Sequence, residues 1–178
     1  MGRYRKIVDD FITPEECTEY IQLAEDYGFE EAKIRTRQGD VIDKKIRDNY
    51  RVIWDNPPFQ DKVWESVKEH LPNEVDGFQL SGLNERFRFY RYEDGQQFRP
   101  HMDAPHRVSE TELSKITLLI YLNEDFKGGE TMMILENKLI EPKAGRLFLF
   151  EQKVLHCGLP TTEGLKYVLR TDVMYKLM

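Results

Sequence analysis

Cysteine is scarce in this chain: only Cys17 and Cys157 occur, far apart and in no CxxC pair. That excludes a disulfide framework and fits a reducing cytosol. Long apolar runs are missing too. No stretch approaches the roughly 18 consecutive apolar residues a membrane span needs, so no membrane association is expected and the protein should be soluble and cytoplasmic. Basic charge is not concentrated anywhere. Lys and Arg total 26 against 32 Asp and Glu, a net charge of −6, which speaks against a nucleic-acid backbone or an anionic membrane as the main partner. The start, Met1-Gly2-Arg3-Tyr4-Arg5-Lys6, has no apolar stretch behind it, and Lys6 stands where myristoylation would want Ser or Thr. Neither export nor acylation is expected.

What is present suits one domain with a real core, residues 1–178. Its first part, 1–83, reads as helical support. Thr13-Pro14-Glu15-Glu16 is a capping box with Pro at the first helical position, Cys17, Tyr20, Ile21 and Ala24 follow at helical spacing, and Gly28 stops the helix. The polar segment from Glu30 to Asp48, with a turn at Gly39-Asp40, reads as a loop or short hairpin. Pro57-Pro58-Phe59 opens a second helix through Val63, Trp64, Val67 and Leu71, closed by Pro72.

From Asn84 the apolar period changes to two, and residues 84–178 read as about eight short strands. Phe87 and Phe89 oppose Arg88, Tyr90 and Tyr92. Phe98 to Asp103 follows, then Ile116, Leu118, Ile120 and Leu122 oppose Thr117, Leu119 and Tyr121. Glu130–Leu135, Lys138–Glu141, Arg146–Phe150, a strand at Leu155-His156-Cys157 and a last one from Lys166 to Tyr175 complete the set. No βαβ alternation occurs, so the sheets should be antiparallel. The expected fold is mainly β with N-terminal supporting helices (α+β), a double-stranded β-helix or jelly roll.

The chemistry centres on Arg99-Pro100-His101-Met102-Asp103. Residues i and i+2 of a strand point the same way, so His101 and Asp103 can converge on one point. With His156 from a later strand they would form a 2-His-1-carboxylate triad, which suits Fe(II) and leaves coordination positions open. By itself His-x-Asp is equally a surface histidine near an aspartate. Lys166, ten residues after His156, could pair with a buried carboxylate, although a lysine at a strand start is ordinarily solvated. Tyr92, Thr117 and Tyr121 could add hydroxyl donors to that anion.

Tyr92-Glu-Asp-Gly-Gln-Gln-Phe-Arg-Pro-His101-Met-Asp103, Thr117-Leu-Leu-Ile-Tyr121-Leu-Asn123, Gly128-Gly-Glu-Thr131, Pro142-Lys-Ala-Gly145 and His156 followed by Lys166 together resemble the prolyl 4-hydroxylase-like branch of the Fe(II)/2-oxoglutarate-dependent dioxygenases. The resemblance covers about residues 85 to 175. It implies iron at His101, Asp103 and His156, and 2-oxoglutarate at Tyr92, Thr117 and Lys166, with Tyr121 matching a co-substrate tyrosine of the oxygen-sensing relatives. It further implies Fe(II), 2-oxoglutarate and O2, with ascorbate as accessory reductant. The reaction would hydroxylate an unactivated C–H bond of a peptide or small-molecule substrate and release succinate and CO2. Related halogenases lack the carboxylate ligand, so Asp103 favours hydroxylation.

The chain departs from collagen-type prolyl hydroxylases late in the last strand, where Asp172 and Met174 stand in place of aromatic and histidine residues. That weakens a peptidyl-proline assignment and leaves a free amino acid or other small metabolite open. Arg47, in Ile46-Arg47-Asp48-Asn49, falls where the branch has a substrate-facing arginine, and it reads equally as a solvated loop residue. Arg170, four residues after Lys166 and about 13 Å away at strand rise, is left with three roles: pairing with Asp172, contacting substrate, or competing with Lys166 for the co-substrate. His70 and His106 are read as non-ligands, and Cys157, opposite in sense to His156, as a small buried hydrophobe. A nucleic-acid dealkylase of the same superfamily and a non-catalytic metal-binding jelly roll are the alternative functions.

Overall fold

The computed structural model of the chain describes residues 3–36 and 39–178. Its principal elements in chain order are β1 (Arg5–Val8), α1 (Pro14–Tyr27), β2 (Tyr50–Asp55), α2 (Pro57–Val67), β3 (Phe78–Leu83), β4 (Arg86–Tyr92), β5 (Phe98–His101), β6 (Glu112–Tyr121), β7 (Thr131–Met133), β8 (Lys138–Ile140), β9 (Leu147–Glu151), β10 (His156–Gly158) and β11 (Lys166–Lys176). All pair antiparallel. The major sheet runs β1-β9-β6-β11-β4-β2 and ends on Glu30–Glu31, while β3 pairs the C-terminal end of β11. The minor sheet is β8-β7-β10-β5. Two facing antiparallel sheets of this order make a double-stranded β-helix, as the strand pattern implied.

β6 explains the layering. Ile116, Leu118 and Ile120 leave one face of the major sheet and are almost wholly buried with Phe87, Phe89, Leu147 and Leu149 under the two helices. Each such side chain contributes about 1.5–3 kcal/mol. The other face carries Thr117, Tyr121, Tyr90, Tyr92, Phe148 and Phe150 toward Met133, Ile140 and Val154 on the minor-sheet side. Both faces being covered, β6 is apolar from Ile116 to Tyr121 apart from Thr117. Helix α1 starts as its capping box requires: Thr13 Oγ1 accepts from the Glu16 N–H (3.2 Å), and the Glu16 carboxylate accepts from the Thr13 N–H (3.0 Å). Gly28 closes it at φ 84°.

Four sequence expectations need correction. Residues 1–83 are not helical support alone, because β1, β2, β3, Glu30–Glu31 and Glu74–Val75 all extend the major sheet. Their alternation is diluted by charged residues at exposed edge positions. Ile34–Thr36 and Gly39–Val41 form the hairpin left open in the sequence, but Gly39-Asp40 lies inside a strand, and the residues between lie outside the described ones. The strand at His101 ends there instead of continuing to Asp103, and the strand begun at Thr131 stops at Met133 and turns into a 3-10 segment, Ile134–Glu136. Among the described residues no helix is long and apolar enough to cross a membrane.

Candidate metal and co-substrate site

In the pairing of β10 with β5, His156 stands opposite His101, and the ring centroids lie 4.3 Å apart. Each ring is fixed the same way. His101 Nδ1 faces the Arg99 carbonyl at 2.7 Å and His156 Nδ1 faces the Val154 carbonyl at 2.9 Å. A carbonyl can only accept, so Nδ1 carries a hydrogen and Nε2 is the nitrogen turned toward the site. Phe98 stacks on His101 at 3.5 Å between centroids, and Phe150 meets His156 edge-on at 4.7 Å.

Asp103 arrives from the chain just beyond β5, its N–H donating to the Gln152 carbonyl (3.0 Å). Its carboxylate lies 3.6 Å from His101 Nε2 and 3.8 Å from His156 Nε2. Thr117 Oγ1 donates to Oδ2 (2.6 Å), and Arg170 Nη2 pairs with Oδ1 (3.1 Å). Burial opposes ionisation of this acid, but Arg170 and the two imidazoles outweigh it and hold the carboxyl well below the usual carboxylate range. Burial lowers the pKa of His156. The three ligand atoms lie within 4.8 Å of one another. Two imidazole Nε2 atoms and one carboxylate oxygen form a donor set that fits a borderline divalent metal such as Fe(II).

The triad lines one side of a cavity, and Lys166 lines it too. Lys166 is in register with Tyr92, is 3% exposed, donates to the Gly129 carbonyl (2.5 Å) and lies 4.9 Å from the Tyr92 ring centroid and 5.8 Å from that of Tyr121. Burial pushes its ammonium down to about 8, with Glu130 pulling the other way. The Tyr121 and Thr131 hydroxyls share a hydrogen bond of 2.7 Å. Burial raises the phenols of Tyr92 and Tyr121, which keeps both as donors. Lys166 and the Tyr92 and Tyr121 hydroxyls are the groups lining this cavity that could receive an anion.

A model of the 2OG-Fe(II) oxygenase superfamily matches residues 87–171, which is β4 through most of β11 and includes every residue just described. That stretch, a little under half of the chain, is similar to the 2OG-Fe(II) oxygenase superfamily. Proteins named as prolyl hydroxylases are among those the chain resembles. An Arabidopsis thaliana protein named "Probable prolyl 4-hydroxylase 7" is 23% identical over 191 residues, covering 90% of this chain and 59% of the relative. The chain therefore spans less than two thirds of that relative's length. Among solved structures, the viral collagen prolyl hydroxylase of Paramecium bursaria Chlorella virus-1, in complex with 2OG, is 22% identical with a TM-score of 0.73, covering 97% of each chain. A Trichoplax adhaerens prolyl hydroxylase in complex with a hypoxia-inducible-factor peptide is 19% identical with a TM-score of 0.75, covering 97% of this chain and 83% of the other. At these identities the likeness is one of fold.

The remaining expected residues fall in different places. Thr117 lines the cavity but commits its hydroxyl hydrogen to Asp103. Arg170 pairs with Asp172 (3.2 Å) as well as Asp103, so it sits at the metal-binding side, away from Lys166. Arg47 is 5% exposed, under the rings of Tyr90 (4.7 Å) and Phe98 (4.3 Å) with Nε bonded to Asn49 Oδ1 (2.9 Å). The solvated reading of Arg47 is thereby overturned. His70 and His106 are outside the triad, and Cys157 is buried. Sequence reasoning missed Tyr90, Gly129 and Gln152. Tyr90 was legible, since it shares Tyr92's face. Gly129 has φ +71°, and a Cβ there would lie 3.0 Å from Lys166 Cδ, a restriction set by a partner 37 residues away. Gln152 links Ser114 to Asp172 through bonds of 2.9 and 3.0 Å, partners that no local pattern brings together.

Proposed function

We propose that this chain is an Fe(II)- and 2-oxoglutarate-dependent hydroxylase acting on an unactivated C–H bond of a peptidyl residue or small molecule. The observation that carries the proposal is the convergence of two imidazole Nε2 atoms on one buried carboxylate, with a buried lysine in the same cavity. His101, Asp103 and His156 would hold Fe(II), and Lys166 would neutralise the far carboxylate of 2-oxoglutarate, assisted by Tyr92 and Tyr121. Bound together, iron and 2-oxoglutarate supply with O2 an oxidant that replaces C–H by C–OH while the co-substrate becomes succinate and CO2. The backbone carbonyls of Arg99 and Val154 keep both imidazoles in one tautomer. Thr117 and Arg170 hold the Asp103 carboxylate in one orientation and leave it fewer ways to be protonated. Phe98 and Phe150 exclude water from the imidazoles.

The test is an anaerobic titration of the Fe(II) protein with 2-oxoglutarate, following the visible charge-transfer band of the iron chelate. Wild type should develop the band, Asp103→Ala should not, and Lys166→Ala should need more 2-oxoglutarate. Iron binding without a band would sink the proposal.

A further inference from the structure

On the side of the triad away from Lys166, the inner face of the major sheet carries a concentration of arginine that a net charge of −6 gives no reason to expect. Register puts Arg88 opposite Arg170, and Arg51 and Val168 on either side of Tyr90. Tyr90 is the common neighbour. Arg47 lies over its ring at 4.7 Å, and Arg170 Nη1 donates to its hydroxyl at 3.4 Å. Burial pushes this phenol up, yet Arg170, Arg47 and Arg88 together bring it down to about 8. Among the described residues, only Asp103 and Asp172 answer Arg88 and Arg170 with ion pairs, and none pairs with Arg47. A divalent metal and a dianionic co-substrate would cancel each other's charge and leave the excess standing.

Two further atoms point to a missing partner. Arg47 Nη2 and Arg170 Nε are both buried and bond to nothing. Buried donors are ordinarily satisfied, and leaving one unmade costs free energy that a ligand oxygen would recover. The Tyr90 hydroxyl, accepting from Arg170, keeps its own hydrogen to give.

We infer that the substrate presents a free carboxylate to Arg47, Tyr90 and Arg170, so that it is a small molecule with a free carboxylate, such as a free amino acid, and not a residue inside a peptide. The inference rests on the hydroxylase reading above for the identity of the neighbouring site.

The test is thermal stabilisation of the full chain loaded with Mn(II) and 2-oxoglutarate by the common free L-amino acids, each beside its amide. At least one acid should raise the Tm while its amide does not. Its apparent affinity should fall at least about tenfold in Arg47→Gln and in Tyr90→Phe, as loss of a charge-assisted hydrogen bond requires, while stabilisation by 2-oxoglutarate is kept. Tyr90→Phe guards against a folding defect at the buried Arg47. Equal stabilisation by acid and amide, a response to inorganic phosphate or N-acetylprolinamide alone, or none at all overturns the inference. Absence of stabilisation by 2-oxoglutarate in wild type counts instead against the hydroxylase reading, and the preference for acid over amide is then decided on the Mn(II) protein.

Discussion

Binding of 2-oxoglutarate should be steeply pH-dependent, because its proposed partner Lys166 is a buried cation held near its neutral form. Burial brings the ammonium down to about 8, and only the protonated lysine attracts the distal carboxylate. The sign follows directly: below about pH 8 the free protein is binding-competent, and above it each pH unit removes about tenfold of the competent fraction. From about pH 7 to about pH 9 that fraction falls from roughly nine-tenths to roughly one-tenth, so the apparent Kd should rise about tenfold. A bound dianion favours the charged lysine, so binding at about pH 8 should take up about half a proton, and at pH 6.5 almost none. Calorimetric titration of the Mn(II) protein in buffers of different ionisation enthalpy measures both quantities. Lys166→Met should bind weakly and lose the slope. A flat wild-type profile with no proton uptake would refute the assignment of Lys166 to the co-substrate.

Thr117→Val keeps the shape of the side chain but removes the 2.6 Å bond to Asp103. Metal affinity should fall about 10–100-fold, as for other groups that orient a metal ligand, in a competition titration with a chromophoric chelator. Asp172→Ala should lower stability by about 3–5 kcal/mol, since Arg88 (3.1 Å), Arg170 (3.2 Å), Gln152 (3.0 Å) and Asn84 (3.3 Å) all bond to this buried carboxylate. Urea unfolding checks it, and a loss under 1 kcal/mol (about the value of one surface pair) would show that the network is not cooperative. Gly129→Ala forces a side chain onto φ +71° and against Lys166 Cδ. It should cost about 1–3 kcal/mol and raise the Kd for 2-oxoglutarate, because the backbone it moves carries the carbonyl that Lys166 uses.

The sequence by itself determined what depends on short range. Strand period decided that Phe87 and Phe89 point away from Tyr90 and Tyr92, and that Thr117 and Tyr121 share a face, because side chains alternate whatever the strand packs against. The capping box at Thr13 and the stop at Gly28 were equally local. The His-x-Asp spacing, His156 and Lys166 gave the candidate site its chemistry, since few residue types can hold a metal or neutralise a buried carboxylate. Tertiary structure alone decided the rest. The strands β1, β2 and β3 carry too little apolar alternation to be read, and become strands through hydrogen bonds to distant partners. Arg47 read equally as a substrate-facing arginine and a solvated loop residue, and folding buried it against Tyr90 and Phe98. Arg170 had three open roles, and the crossing of β11 past the Asp103 turn gave it two carboxylates at once. A charge finds its partner through space, and which charges meet is fixed by strand order and register, which no local pattern specifies.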